Sequence, residues 1–76
     1  MENNADIITT IMNKAALQFK NTEFRWGQCI MNITQMNYPH IANHVTGTDK
    51  DPFYKDENIE RFINYVQELT WQNILK

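Results

Sequence analysis

Only two glycines, two prolines and one cysteine punctuate the chain. The lone Cys29 excludes an internal disulfide framework and suits a reducing compartment. No glycine-rich phosphate loop, nucleophile elbow or HExxH zinc motif occurs anywhere. Apolar and polar residues never alternate for long, and there is no Asn-Gly or Asp-Gly hairpin signal, so strands are not expected. Basic residues are also few, seven Lys and Arg against nine Asp and Glu, for a formal net charge of −2. A phosphate backbone requires a basic stripe, which is missing here, so nucleic acid is not an expected partner. No apolar run is long enough for a bilayer, and the opening "MENNADIITTIMNK" lacks the basic start of a signal peptide. A cytoplasmic protein without a membrane segment is the expectation.

What the chain does have is apolar bulk. Hydrophobic residues make up 42% of its 76 positions, including two Trp, three Tyr and four Phe. That is too rich for a disordered polymer and enough for one compact domain spanning residues 1–76. A chain of this size buries only about 60–65% of its unfolded surface, so its stability margin is thin. Little volume remains for a deep reaction cleft with supporting residues, which argues against an enzyme and against a resident cofactor. Self-association is a common way for so small a core to gain stability, and a homodimer is the form expected of it.

Helical periodicity organises the sequence. Ile7, Ile8, Ile11, Met12, Ala15, Ala16 and Phe19 form one apolar face over about 5–19. "KNTE" breaks that pattern, and Thr22 is a suitable N-cap for a second helix over about 23–36, lined by Phe24, Trp26, Ile30, Ile33 and Met36 or Asn37. Gly27 lies inside this helix at a cost of about 1 kcal/mol against alanine. Its presence predicts a close crossing by another backbone. Pro39 suits the first position of a short third helix carrying Tyr38, Ile41, Ala42 and Val45 on one face, which Gly47 ends in a left-handed conformation. A last helix is expected from an Asp56 N-cap to about Leu75, with Ile59, Phe62, Ile63, Val66 and Leu69 inward. The fold class is all-α: four helices, one of them short.

The stretch "GTDKDPFYKD", residues 47–56, departs from this helical texture. Thr48 and Asp49 are turn formers, and Asp51 before Pro52 is pushed out of helical geometry. Of the adjacent rings Phe53 and Tyr54, one should plug the core and the other lie at the surface. The expected result is a shaped corner built from Arg25, Gly27, Gly47, Asp51, Pro52 and Phe53, with Arg25 in a salt bridge to Asp49 or Asp51. A calcium loop is the sharper alternative, since Asp49, Asp51, Glu57 and Glu60 fall at EF-hand positions. Tyr54 occupies the place where that loop needs glycine, so calcium is not expected.

Other chemistry is thin. His40 and His44 are spaced i, i+4 and share a helix face, yet no third ligand is implied by the spacing, so no metal is expected. Cys29 sits among Trp26, Ile30 and Ile33, which reads as a buried and inert thiol. No residue stands out as catalytic.

The strings "RWGQCIMNI", "YPHIANHVTGTDKDPFY" and "DENIERFINYV" resemble a group of short uncharacterised proteins of bacteria and their phages. The shared pattern is an Arg-x-Gly-Gln helix, then Pro-x-[apolar]-Ala, then Gly-Thr-x-x-Asp-Pro-Phe-[aromatic], then a helix bearing Phe. It falls here on Arg25, Gly27, Gln28, Pro39, Ile41, Ala42, Gly47, Thr48, Asp51, Pro52, Phe53, Tyr54 and Phe62, covering roughly residues 24–66. The resemblance implies a shared fold and no assigned activity. The expected function is a small non-enzymatic protein-interaction module, in a phage setting one that binds and modulates a host protein in the host cytoplasm. The expected contact surface combines Tyr54, Trp71, Ile74 and Leu75, or serves self-association. Two alternatives remain open at this point. One is a small-ligand or nucleotide sensor using Arg25, Gln28, His40 and the "GTDKD" backbone. The other is an inhibitor of a nucleic-acid-binding enzyme whose Asp49, Asp51, Asp56, Glu57 and Glu60 imitate phosphates.

Overall fold

Four α-helices and one 3-10 turn make up the regular structure of the computed structural model, which describes residues 4–69. They are α1 (Asn4–Asn21), α2 (Trp26–Asn37), α3 (Pro39–Val45), the turn Asp56–Asn58, and α4 (Ile59–Leu69). No strand occurs among the described residues, and no helix there is long and apolar enough to cross a membrane. The all-α class expected from periodicity is therefore observed. Trp71, Ile74 and Leu75 lie outside the described residues, as does the expected C-terminal stretch of the last helix.

Apolar periodicity explains which faces meet. Ile7, Ile11 and Ala15 of α1 are buried against Cys29, Ile30, Met31 and Ile33 of α2, with Ile41, Ala42 and Val45 of α3 and Phe62 and Val66 of α4 closing the core. Helix α1 packs on both α2 and α4, while α2 also carries α3 and the 3-10 turn. Thr34 is fully buried within this apolar cluster. Its hydroxyl donates to the Ile30 carbonyl at 2.7 Å, so no buried polar group is left unpaired there. The Cys29 thiol is free and buried, as its apolar neighbours suggested.

The stripe model errs at its ends. Phe19, assigned to the core face of α1, is 48% exposed and meets Trp26 edge-on with ring centroids 5.6 Å apart. Phe24 and Met36 are likewise exposed, whereas Met31, outside the expected stripe, is buried. For Phe24 the cause is the start of α2. It begins at Trp26, not near residue 23, and this shift places Phe24 in the connection before the helix. Thr22 does not cap α2: its hydroxyl donates back to the Gln18 carbonyl at 2.8 Å and closes α1. Asn21 closes the same end by donating to the Leu17 carbonyl.

The crossing expected at Gly27 is present, and its partner is the loop. A methyl group at Gly27 would sit well inside contact distance of the Pro52 carbonyl oxygen and 2.7 Å from Asp56 Oδ1. Backbone on one side and a bonded carboxylate on the other leave no cheap way to yield. Gly27→Ala is therefore expected to destabilise the fold by about 3 kcal/mol despite alanine's better helix propensity. Chemical denaturation monitored by circular dichroism checks this, and a neutral or stabilising result would contradict the crossing.

Candidate functional site

Residues 46–58 form a corner held by a run of local hydrogen bonds. Helix α3 ends with the Thr46 amide bonded to the Ala42 carbonyl at 2.9 Å. Gly47 follows at φ 81°, the left-handed conformation expected of it. The Thr48 hydroxyl donates to the Val45 carbonyl at 2.7 Å and accepts from the Lys50 amide at 3.1 Å.

Asp51 then organises the turn. Its Oδ2 accepts from the Gly47 amide at 2.9 Å, its Oδ1 from the Phe53 amide at 2.8 Å, and its own carbonyl accepts from Asn58 Nδ2 at 3.0 Å. Asp51 and Asn58 are both buried, so these bonds replace hydration that burial removed. The two oxygens of Asp51 are committed to backbone amides and Asp49 is bonded to Lys50 Nζ at 3.2 Å, which is not how a cation loop presents its ligands. No group of three or more His, Cys, Asp or Glu close enough to hold a metal occurs among the described residues. His40 and His44 lie exposed on α3.

A second set of bonds docks the corner on α2. Helix α2 starts with Arg25 at the N-cap position in extended conformation, with no capping bond from its own side chain. The Gly27 amide in the first turn has no acceptor inside the helix. Asp56 supplies one: its Oδ1 accepts from the Gly27 amide at 3.0 Å and from Arg25 Nη1 at 3.1 Å. The other arm of the Arg25 fork donates to the Phe53 carbonyl. A carboxylate at a helix N-terminus also meets the positive end of the helix dipole. Asp56 is thus an N-cap supplied from 29 residues away.

Two sequence expectations are corrected here. Asp56 does not cap the helix that follows it. Lys55 stands at the N-cap position of the 3-10 turn through which the chain enters α4, and the Asp56 carboxylate faces α2. Arg25 pairs with Asp56, not with Asp49 or Asp51, because Asp51 is already consumed by the turn and Asp49 points to Lys50. The two rings divide as expected in direction. Phe53 is half-buried and packs against the core, while Tyr54 is 78% exposed and meets Phe53 edge-on at 4.8 Å. The fully buried wedge is Pro52.

The corner leaves two depressions that share Tyr54 as a common wall. A cleft of about 400 Å³, open along one side, is lined by Gly47, Thr48, Asp49, Asp51, Lys55, Glu57, Asn58 and Arg61 besides Tyr54. A notch of about 130 Å³ lies against Met31, Gln35, Thr46, Asp51 and Phe53. Arg25, Gln28 and His40, grouped from sequence as one polar pocket with the "GTDKD" backbone, line neither. Lys55, Asn58 and Arg61 were not singled out from sequence. The Asn58-x-x-Arg61 spacing was the available signal, since it places the two side chains on one helical face. Compared with family models, curated proteins and solved structures, the chain shows no significant match.

The corner's reliance on Asp51 has a direct test. Asp51→Asn keeps the shape but points a donor at one of two backbone donors, and should cost about 2 kcal/mol. Asp49→Asn, at an exposed site, should stay within about 0.5 kcal/mol of the parent. Parallel urea titrations check the contrast, and equal effects would contradict the roles given to the two carboxylates.

Proposed function

We propose that this chain is a small non-enzymatic protein-interaction module whose contact surface centres on Tyr54. The observation that carries this reading is a mostly exposed aromatic ring mounted on an immobilised corner. An exposed tyrosine usually loses rotamer and backbone freedom when a partner orders it. Here the neighbouring backbone is already fixed by Asp51, Arg25 and the Phe53 contact, so that cost falls before binding. Aromatic side chains with few torsions are the groups that most often dominate interfaces. The two depressions flanking Tyr54 give a partner relief to grip.

The group resembled in sequence suggests a phage setting, in which the module engages a host protein in the host cytoplasm. Trp71, Ile74 and Leu75 belong to the same proposal by composition, and a homodimer through such surface is part of it. The phosphate-imitating alternative draws less support from the geometry. Asp51 is buried in the turn, and Asp56 is engaged by α2 and Arg25.

Site-specific photocrosslinking tests the reading. A photoreactive phenylalanine analogue at position 54, in cells of a bacterial host, should yield a discrete adduct with one protein. The same group at exposed Thr9 on α1 should not. Adducts of equal yield from both positions, or none from position 54, would overturn it.

A further inference from the structure

The cleft beside Tyr54 carries an unusual balance of charge for an acidic protein. Three carboxylates line it, but two are spent: Asp51 on backbone amides and Asp49 on Lys50. The two cations in its lining, Lys55 and Arg61, are not neutralised. Among the described residues, neither Lys55 nor Arg61 has a carboxylate within ion-pair distance, and the ion pairs present are Arg25–Asp56 and Lys50–Asp49.

Arg61 is nevertheless held. Its Nη1 donates to Asn58 Oδ1 at 2.9 Å, and buried Asn58 in turn donates to the Asp51 carbonyl at 3.0 Å. The 3-10 turn is responsible for this. It brings Asn58, three residues before Arg61, under the guanidinium in place of Glu57, which stands four before it. A guanidinium oriented through one arm by a neutral amide keeps its charge and its other donors available to a planar carboxylate. Across the Tyr54 wall, the notch floored by buried Met31 and half-buried Phe53 has the size and apolarity for one side chain.

We propose that this face binds a short extended peptide segment of the partner, placing an Asp or Glu carboxylate against Arg61 and Lys55 and a neighbouring apolar side chain in the notch. This rests on the interaction-module reading and names the chemistry of the partner. The open side of the cleft and its continuation past Tyr54 suit a chain passing over the surface. Enclosed small-molecule sites, by contrast, bury most of their ligand. Glu57 is the one carboxylate of the cleft lining that is bonded to neither a backbone amide nor a cation among the described residues, and it sets the charge class. It tolerates a singly charged carboxylate beside two cations and repels the extra charge of a phosphate.

The test uses the purified full chain and a display library of random short peptides. Enriched sequences should carry Asp or Glu within two residues of Leu, Ile, Met or Phe. A synthetic peptide from that pool should bind at least tenfold more weakly to Arg61→Glu and to Tyr54→Ser, with Arg61→Lys intermediate because the charge stays while the planar fork is lost. Replacing the peptide's acidic residue with phosphoserine should weaken binding, and Glu57→Gln should recover that loss. Circular dichroism and melting temperature establish that each variant is folded, and Arg61→Gln serves should the charge reversal unfold the protein. Enrichment without acidic residues, no enrichment at all, or indifference to Arg61 would overturn the proposal. So would a concentration-dependent dimer abolished by Tyr54→Ser, which would make the occupant a second copy. Inorganic phosphate shifting the Lys55 and Arg61 amide resonances, with no peptide enriched, would make it a small anion. A partner crosslinked from position 54 and captured equally by Arg61→Glu would sink the acidic segment while leaving the interaction module standing.

Discussion

The first turn of α2 does not cap itself. Arg25, at the position where a serine or aspartate would serve, offers no acceptor, and the Gly27 amide would be left without a partner. The remedy comes through space from Asp56, with the Pro52 carbonyl packed over the hydrogen face of Gly27. Three requirements therefore meet in one place: a residue without a side chain in α2, a proline wedge in the loop, and a carboxylate at the start of the following helical segment. Arg25 closes the arrangement by bonding both Asp56 and the Phe53 carbonyl.

That docking sets what the surface presents. With Pro52 and Asp51 held inside, the chain must turn outward at Phe53 and Tyr54, which leaves the second ring in solvent. With Asp56 turned toward α2, the chain enters α4 through a 3-10 turn, and Asn58 falls beneath Arg61. Lys50 adds an anchor on the far side, its ammonium 5.5 Å from the centre of the Tyr65 ring on α4. The exposed ring and the oriented guanidinium thus follow from the same few tertiary bonds. Their fixed placement is what makes this face suitable for recognition.

Much of the fold was readable from local pattern. The apolar stripes located all four helices, and Pro39 and Gly47 bounded the short one to within a residue or two. Gly27 was informative because its helix cost demanded a reason, and the close backbone passage supplied it. The corner residues Gly47, Asp51, Pro52 and Phe53 could be grouped because turn chemistry acts over a few positions. The misplaced details were those decided at long range. Thr22 and Asp56 are both good N-caps by composition, and neither caps the helix beside it. Which acid Arg25 would choose depended on which carboxylates the turn had already consumed. Lys55 and Arg61 escaped notice because an exposed cation looks ordinary until its lack of an ion pair among the described residues can be seen in three dimensions.

Hydrogen exchange at a single amide bears most directly on this picture. The amide of a second helical residue normally faces water and exchanges at close to the unprotected rate. If Asp56 caps α2 from across the fold, the Gly27 amide should be protected to the level of the helix interior, and replacing Asp56 with alanine should release it together with its neighbours in the first turn. A Gly27 amide that exchanges freely in the parent protein would contradict the account.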